Sequence, residues 1–381
     1  MNAPTTHPLT DLEFRLLNDW QRGFPLTPRP YAALAARLGC NEATVLDRLA
    51  SLKQRGHVSR VGAVFRPHVL GWSTLAAVAC PPERMDEVAR VIDAFPEVNH
   101  NYEREHAYNL WFVVAAATHE RVAEVLAEIH RRAGLKPLDL PMVADYHIDL
   151  GFPLQPSPRG GGQGEGRALA EWGRHQDHRA PLPHPGPLPA GEGKACCPHL
   201  DAAGSPVDVA ALRERLESAD YAVATALENG LELIPRPYAG LAGRCGMSEA
   251  AFIARLERLV GLSVVRRLGV IVRHRELGYT ANAMVVWDIP DDRVSEAGRL
   301  LASQAAVTLC YQRPRRLPDW SYNLFSMVHG QDRAAVQGQV AQLRDQLRHA
   351  LDLDDVACRP LFSHRRFKQC GARYSSLPKA A

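Results

Sequence analysis

The stretch TPRPYAALAARLG, residues 27–39, decides the fold because it occurs a second time as IPRPYAGLAGRCG, residues 234–246. The second copy lies 207 positions after the first. At the same offset, SRVGAVFRPHVLGW (59–72) returns as RRLGVIVRHRELGY (266–279). Self-similarity at one fixed offset indicates that a whole structural unit has been duplicated. The sequence therefore predicts two homologous units in tandem.

Each unit begins with a pattern typical of a helix-turn-helix. YAALAARLG is followed by NEATVLDRLASLKQRG, with Asn41 as the expected N-cap, and the second copy has Ser248 before EAAFIARLERLVG. Asparagine and serine accept hydrogen bonds from the free N–H groups of a first helical turn. A β-hairpin is expected next, in VSRVGAVF and in VVRRLGVIV. Together these elements predict a winged helix-turn-helix.

The rest of each unit reads strand, helix, strand, strand, helix, strand. In the first copy these are STLAAVACP, ERMDEVARVIDAF, VNHNYERE, AYNLWFVVAAA, HERVAEVLAEIHRRAG and LPMVADYHIDL. The order βαββαβ is that of a ferredoxin-like sandwich, in which two helices cover one face of an antiparallel sheet. The fold class is therefore α+β, as a tandem repeat of winged helix-turn-helix plus ferredoxin-like domain, with the other sheet face left for a partner or ligand.

Five segments follow from this pattern. We expect a winged helix-turn-helix at 1–72, a ferredoxin-like domain at 73–154, a linker at 155–205, a second winged helix-turn-helix at 206–279 and a second ferredoxin-like domain at 280–381. The linker is rich in proline and glycine and has few large apolar side chains, so it is expected to be disordered.

Composition places the chain among soluble proteins. Of 381 residues, 46% are hydrophobic and 23% are charged, and the formal net charge is +3. No apolar run approaches the length of a membrane span. MNAPTTHPLTDLEF at the N-terminus lacks the basic and apolar regions of a signal peptide, which predicts a cytoplasmic protein. The net charge is too small to indicate nucleic-acid binding by itself.

The eight cysteines are scattered along the chain, which favours reduced thiols over a disulfide framework. A metal-binding tract in the linker is a weaker alternative, because the spacing of its side chains is irregular. Its members would be His175, His178, His184, Cys196, Cys197 and His199.

The stretch HNYEREHAYNLWF, residues 100–112, predicts a polar site on a packed sheet. His100, Tyr102 and Arg104 alternate along a strand, so their side chains share one face. Tyr311 and Arg313 stand at the matching positions of the second copy. Because the tyrosine and the arginine recur, a functional role is favoured over that of solvated surface residues.

A winged helix-turn-helix followed by a ferredoxin-like domain resembles the Lrp/AsnC family of transcription regulators. Two features depart from it: the recognition helices have no net positive charge, and Tyr108-Asn109 and Tyr322-Asn323 stand where such regulators tend to carry an aspartate. NHNYERE, AYNLWFVV and YHIDLGF look like the NirD-type subunit of siroheme decarboxylase. CYQRP, WSYNLF and LFSHRRFKQCGARY look like the NirL-type subunit.

The whole chain outside the linker thus resembles a fused NirDL-type siroheme decarboxylase. The resemblance implies that two acetate side chains of siroheme lose carbon dioxide, giving 12,18-didecarboxysiroheme in haem d1 biosynthesis. It also implies that no organic cofactor is used and that the siroheme iron belongs to the substrate.

A substrate with eight carboxylates around a flat ring needs arginine or lysine partners, because guanidinium pairs with carboxylate in a bidentate way. The predicted substrate-binding residues are Arg104, Arg313, Arg365, Arg366 and Lys368. Arginines of the two expected hairpins are candidates for the rim of the site, namely Arg66, Arg267, Arg273 and Arg275.

Decarboxylation also needs a proton for the carbon that is left behind. We predict His100, Tyr102, His147 and Tyr311 as the catalytic residues, with either histidine as acid, base or axial ligand of the substrate iron. His100 and His147 are expected on neighbouring strands facing one pocket. The counterpart of His147 in the second copy is taken as Arg366, which leaves open whether one site or two sites work. No metal site of the protein's own is predicted.

Two other functions stay open at this point. One is a DNA-binding regulator of the Lrp/AsnC type, and the other is a haem or siroheme carrier without activity. The preferred interpretation expects siroheme as partner, no DNA and no membrane. It also expects the two sheets to pair within the chain as a NirD–NirL pseudo-dimer, which could dimerise again.

Overall fold

The computed structural model of the protein describes residues 9–148, 151, 154, 199–200 and 206–372. Nearly all of the predicted linker lies outside these residues. The prediction of a metal-binding tract in the linker therefore also falls outside the described side chains.

The first unit opens with three helices, α1 (Asp11–Asn18), α2 (Pro30–Leu38) and α3 (Glu42–Gln54). The predicted cap is present, since the Asn41 side chain accepts a hydrogen bond from the Thr44 N–H at 2.8 Å. Helix α1 was not predicted from the sequence.

The ferredoxin-like part of the first unit follows strand β1 (Val58–Phe65). It contains β2 (Trp72–Val78), α4 (Met85–Asp93), β3 (Val98–Arg104), β4 (Leu110–Ala116), α5 (His119–Ala133), β5 (Leu138–Pro141) and β6 (Ala144–Ile148). The predicted last strand is thus two strands, β5 and β6.

The second unit repeats this order after two short strands, β7 (His199–Leu200) and β8 (Pro206–Val207). Its helix-turn-helix consists of α6 (Val209–Glu214), α7 (Ser218–Ala226), α8 (Pro237–Arg244) and α9 (Glu249–Gly261). Ser248 caps α9 as predicted, accepting from the Ala251 N–H at 3.2 Å. Strand β9 (Val265–Val272), β10 (Ala281–Asp288), α10 (Val294–Ala302), β11 (Val307–Gln312), β12 (Leu324–Gly330), α11 (Arg333–Leu351) and β13 (Ala357–Gln369) complete the unit.

The predicted hairpins are wrong. Each unit has a single strand there, and β1 pairs antiparallel with β9 of the other unit, with Gly62 opposite Gly269. A lone strand leaves a row of unpaired N–H and C=O groups. Here the equivalent strand of the other unit satisfies these groups by pairing with the lone strand.

The two ferredoxin-like sheets also exchange strands. Their orders are β5-β2-β4-β3 and β13-β10-β12-β11, and they are joined where β13 pairs with β3, while β6 pairs with β11. Strand β13 serves both sheets: Ala357–Phe362 pair with β10, and Ser363–Gln369 pair with β3. The last strand of each unit therefore reaches into the other unit.

The core has parts that are shared between the units. Both helix-turn-helix parts contribute to one apolar cluster, which includes Leu17 and Tyr31 from the first and Tyr238 and Leu256 from the second. Another cluster lies between the two sheets, so the faces opposite the helices pack against each other as predicted. Among the described residues, no helix is both long and apolar enough to span a membrane.

Candidate functional site

Two equivalent Tyr–Arg pairs face the space between the sheets. Tyr102 and Arg104 lie on β3, Tyr311 lies on β11, and Arg313 directly follows the end of β11. The Arg104 guanidinium carbon is 5.5 Å from the centre of the Tyr102 ring, and the Arg313 carbon is 4.6 Å from that of Tyr311. The pairing predicted from the repeat is therefore present in both units.

Both guanidinium groups are buried without a carboxylate partner. Arg104 is 8% exposed and Arg313 is 6% exposed. Arg104 Nη1 donates to the Leu361 carbonyl at 3.0 Å, and Arg313 Nη1 donates to the Leu140 carbonyl. Within the described part of the chain, the Nε of each has no hydrogen-bond acceptor and neither group forms an ion pair.

Such groups are costly to bury. Burial lowers the pKa of both arginines; Tyr102 and then Tyr311 oppose the shift at Arg104, and Tyr311 and then Asp139 oppose it at Arg313. Arginine nevertheless keeps its charge in proteins. A buried, unpaired charge destabilises a fold unless an ion of opposite sign accompanies it. The pair is therefore suited to an anionic ligand.

His100 shares the face of β3 with Tyr102, and the two rings stack at 6.2 Å. Burial, and then the charges of Arg60 and Arg104, lower the pKa of His100 to about 4. Its Nδ1 lies 2.7 Å from the Asn99 Oδ1. An amide oxygen only accepts, so this contact assigns the proton to Nδ1 and leaves a lone pair on Nε2.

Tyr102 keeps its proton at neutral pH. Burial raises the pKa of its hydroxyl, against the opposing charges of Arg104, Arg366, Arg275 and Arg273. A phenol in these surroundings is a hydrogen-bond donor surrounded by cations. These contacts place Arg273 and Arg275, two of the predicted rim arginines, near the site.

His147 does not lie beside His100. Strands β13, β10, β12 and β11 separate β3 from β6, so the predicted adjacency is wrong. The reason is the strand exchange, which gives β6 to the second unit. His147 lies on β6, where it pairs in register with Cys310 of β11, the residue before Tyr311.

The counterpart of His147 also differs from expectation. Cys310 pairs with His147 and its equivalent Asn101 pairs with Lys368. The sheet register thus equates His147 with Lys368 and not with Arg366.

Two of the predicted substrate-binding residues are on the wrong side of the sheet. Arg365 donates to Glu103 Oε2 at 2.7 Å and to Asp86 Oδ1 of α4 at 2.9 Å. Lys368 Nζ donates to the carbonyls of Asp93 and Phe95 at 2.8 and 2.9 Å, at the end of α4. Both side chains bond to groups on the helix-covered face, so the structure does not bring them together with Tyr102 and Arg104.

The structure places three other predicted arginines, Arg366, Arg66 and Arg267, in different surroundings. Arg366 donates to Glu276 Oε1 at 2.9 Å, and its charge opposes the rise in the pKa of Tyr102 that burial causes. Arg66, 1% exposed, donates through Nε to the Ser263 carbonyl at 3.1 Å and so joins the two units. Arg267 is also buried, at 7% exposure. Arg366 thus lies on the Tyr102 side of β13, while Arg66 bonds across the two units.

Two histidines near the site were missed by the sequence analysis. The rings of His274 and His329 are 5.8 Å apart, and His329 Nδ1 lies 2.6 Å from Asn282 Oδ1. Burial first, and then the charges of neighbouring groups, lower the pKa of His274 to about 3 and that of His329 to about 4. Arg104 is among the groups acting on His329.

A signal for His329 does exist in the sequence. It alternates with Met327 and Phe325 along β12, and both of these face the other sheet. Comparison of the two copies hides it, because the first unit has an alanine in the matching strand.

A cavity of about 1190 Å³ lies elsewhere, against the second helix-turn-helix, and none of the predicted site residues lines it. Among the described residues, no group of three or more His, Cys, Asp and Glu side chains is placed to hold a metal ion.

Comparison with known proteins gives consistent matches along the chain. A model described as the siroheme decarboxylase NirDL-like HTH domain matches residues 13–58 and 220–266. A model of the AsnC-like ligand binding domain matches residues 69–147 and 276–368. Both families thus occur twice, in agreement with the repeat.

Relatives match either the whole chain or one of its two units. The chain is 42% identical to the siroheme decarboxylase NirDL subunit of Paracoccus denitrificans (strain Pd 1222), covering 97% of this chain and 99% of that one. It is 52% identical over 149 residues to the siroheme decarboxylase NirD subunit of Pseudomonas aeruginosa, which covers 39% of this chain and 99% of the relative.

A crystal structure has the same fold. It is that of the siroheme decarboxylase NirDL in co-complex with an iron-uroporphyrin III analogue, with a TM-score of 0.57 and 25% identity. The match covers 96% of this chain and 94% of that chain.

Proposed function

Since the chain belongs to the NirDL siroheme decarboxylase family, we propose that it removes carbon dioxide from two acetate side chains of siroheme. The product is 12,18-didecarboxysiroheme, an intermediate of haem d1 biosynthesis. The enzyme is a carboxy-lyase, and its two units act as NirD-like and NirL-like halves of one chain.

The observation that carries this proposal is the pair of buried, unpaired arginines. Arg104 and Arg313 lie on facing sheets and have no carboxylate partner in the described protein. Siroheme brings eight carboxylates on a flat ring, which is the kind of ligand that neutralises two separated cations at once. Each charged hydrogen bond contributes roughly 1.5–3 kcal/mol. Arg366 adds a further cation at the rim.

The reaction is redox-neutral. The bond between the acetate methylene and its carboxylate breaks, carbon dioxide leaves, and the electron pair passes into the conjugated ring. A proton then adds to the methylene carbon and gives a methyl group. The macrocycle supplies the electron sink, so the protein must orient the acetate and deliver one proton.

Tyr102 is the proposed proton donor on the β3 side. Burial raises the pKa of its hydroxyl, so the hydroxyl stays protonated at neutral pH. Tyr311 occupies the equivalent place on β11. A well-placed general acid contributes on the order of 10² to 10⁴ in rate.

His100 is proposed to act through its Nε2 lone pair, as a base or as an axial ligand of the substrate iron. Burial beside Arg60 and Arg104 lowers the pKa of His100 to about 4. It is therefore neutral until the carboxylates of a bound substrate offset those two charges. His147 would serve in the same way beside Tyr311, since both lie on the β11 side.

Further parts of the proposal concern cofactor, location and boundaries. The iron is that of the substrate, and no organic cofactor is included. The free thiols of Cys40, Cys80 and Cys310 support a reducing compartment, and we place the enzyme in the cytoplasm. We also propose the domain boundaries expected from the sequence: winged helix-turn-helix domains at 1–72 and 206–279, ferredoxin-like domains at 73–154 and 280–381, and a linker at 155–205.

The regulator alternative is disfavoured by the charges of α9. Arg255 donates to Glu217 and Asp220 at 3.0 and 3.1 Å, and Arg258 donates to Asp220. Arginines committed to carboxylates of their own domain are poorly placed to contact phosphates. We therefore propose that the chain does not bind DNA.

The deciding experiment is an anaerobic incubation of the purified full chain with siroheme, followed by mass spectrometry of the pigment. Two successive losses of carbon dioxide are expected. Bound but unaltered siroheme would leave only the carrier alternative, and absence of binding would overturn the proposal altogether. An Arg104→Met, Arg313→Met double variant is the matched negative control.

A further inference from the structure

The cavity on the second helix-turn-helix lies outside the site described above. It has a volume of about 1190 Å³ and is bordered by α7, by the residues that follow α7 and by a loop of the first unit. Tyr221, Thr225, Asn229, Val69 and Leu70 are among its lining residues. Its wall thus combines apolar surface with hydrogen-bonding side chains.

The equivalent place in the first unit is occupied by the protein itself. Helix α1 matches the start of α7 at the repeat offset. The Leu154 N–H donates to Asn18 Oδ1 at 2.9 Å, and Arg22 donates to the Gly151 carbonyl. Leu154 is 4% exposed and belongs to the core of the helix-turn-helix parts. The chain after β6 therefore folds back onto α1.

The two contact positions, Asn18 at the end of α1 and Arg22 after it, have equivalents that line the cavity. At the offset of 207 positions, Asn18 corresponds to Thr225 and Arg22 to Asn229. The surface that holds the chain in the first unit is thus the cavity wall in the second unit.

The chain after β13 arrives at this cavity. A Cβ placed on Gly371 would lie 3.2 Å from the Glu228 carbonyl oxygen and from the Arg60 guanidinium. Glu228 directly precedes Asn229 and Gly230 of the cavity wall. The described chain continues for one residue beyond Gly371.

The two sequences share a spacing. Leu154 follows Gly151 by three positions, and Tyr374 follows Gly371 by three positions. A tyrosine suits this wall, because its ring buries apolar area while its hydroxyl can bond to Thr225 or Asn229. Four more residues follow, Ser375, Ser376, Leu377 and Pro378, and an extended chain of that length spans about 13 Å at roughly 3.3 Å per residue.

We propose that residues 373–378 dock in this cavity, with Tyr374 as the anchor, in the way that Leu154 docks on α1. The inference does not rest on the proposed function. It has a consequence for the site, however: the Cys370 N–H donates to the Asn99 carbonyl at 2.8 Å, and Asn99 holds His100. Docking would therefore hold the end of β13 next to His100.

The native Cys245 allows a direct test, because its side chain lines the cavity. In the full chain, Tyr374→Ala should raise the rate of Cys245 alkylation by iodoacetamide about five-fold or more, because thiol reactivity follows exposure. Lys379→Ala is the matched control and should leave the rate unchanged. Cys40 in the first unit is an internal reference whose rate should not respond to either substitution. Peptide mass spectrometry reads both thiols in one sample.

A second variant identifies the occupant. Tyr374→Cys, treated with a short bismaleimide, should give a crosslink to Cys245 that trypsin digestion and mass spectrometry locate. A Cys245 crosslink to Cys196 or Cys197 instead would make the linker the occupant and overturn the proposal. Equal Cys245 rates in wild type and Tyr374→Ala would overturn it too, as would a copurified small molecule whose removal alone exposes Cys245.

Discussion

At the scale of single residues, the arginines of this protein fall into two classes. Arg266 illustrates the first, because it donates to the buried Asp145 carboxylate at 2.9 Å. Arg104 and Arg313 form the second, in which the guanidinium is buried, donates to a backbone carbonyl and lies over an aromatic ring, without an ion pair among the described residues. A paired charge contributes to the stability of the fold, whereas a buried charge without an ion-pair partner favours binding of a ligand of opposite charge.

Arg104→Met should separate these two effects, because methionine fills a similar volume without charge. Affinity for iron uroporphyrin should fall roughly 10- to 150-fold, which corresponds to the 1.5–3 kcal/mol of a charged hydrogen bond. The free energy of unfolding of the ligand-free protein should not fall, because an unpaired buried charge is removed. Absorbance titration and urea unfolding measure the two quantities.

Arg365→Met is the control for this experiment. Its guanidinium is paired with Glu103 and Asp86 on the helix side of the sheet, so ligand affinity should stay at the wild-type value. Equal affinities for Arg104→Met and wild type would remove Arg104 from the site.

The buried histidines predict how stability depends on pH. The pKa values of His100 and His329 are lowered to about 4, and that of His274 to about 3. Below about pH 6.5 the unfolded chain binds protons that the folded chain does not, so the free energy of unfolding falls as the pH drops from 6.5 towards 4. Each histidine contributes at most about 1.4 kcal/mol per pH unit.

Urea unfolding at several pH values measures this slope, and His329→Gln should reduce it. The same linkage applies to ligand binding. A bound polycarboxylate should raise the pKa of His100, so binding should be accompanied by uptake of protons. Calorimetry in buffers of different ionisation enthalpy detects that uptake. An unchanged slope in His329→Gln would contradict the assignment of its burial.

At the scale of elements, the β1–β9 pair lies against the backbone of the segment that follows α1. Gly62 and Gly269 stand opposite each other at the centre of the pair. A Cβ on Gly269 would lie 2.3 Å from the Gln21 carbonyl oxygen and 2.5 Å from that of Trp20. Backbone atoms cannot move aside as side-chain ends do, so this position requires glycine.

Gly269→Ala should therefore destabilise the protein by about 2 kcal/mol or more, as overpacking in a core does. Gly240→Ala is the matched control, because it lies within α8 and its added Cβ would meet nothing within 4 Å. Alanine is favoured over glycine in a helix, so the control should be neutral or more stable by up to about 1 kcal/mol. Urea unfolding of the two variants tests this, and equal stabilities would contradict the close approach.

At the scale of the whole molecule, the two units are held together by more than the linker. Strand β6 pairs with β11, β13 pairs with β3, β1 pairs with β9, and one apolar cluster lies between the sheets. Neither sheet has all of its neighbours within its own unit. We therefore expect the two units to unfold as one cooperative body.

A protease site inserted between residues 160 and 190 tests this architecture. After cleavage the halves should stay associated, elute as one species and unfold in a single transition. The midpoint of that transition should now fall on dilution, because the linker no longer sets a high effective concentration. Size-exclusion chromatography and thermal unfolding at two concentrations measure both effects, and separation of the halves at micromolar concentration would contradict the shared core.

The sequence by itself determined the features that depend on local order. The offset of 207 positions gave the duplication, the caps Asn41 and Ser248 followed from their place before helical patterns, and alternation along β3 put Tyr102 and Arg104 on one face. These features depend on neighbours within a few residues or on comparison of the two copies. Local backbone geometry is therefore sufficient to predict them.

Only the tertiary structure decided which strand pairs with which, and on which side a side chain lies. Two identical edges offer the same hydrogen-bonding groups to a strand, so the sequence does not say that β6 and β13 cross to the other unit. That crossing separates His147 from His100, turns Arg365 and Lys368 towards α4, and brings His329 near Arg104. The choice is made by burial of apolar area between the two sheets, which is a non-local interaction.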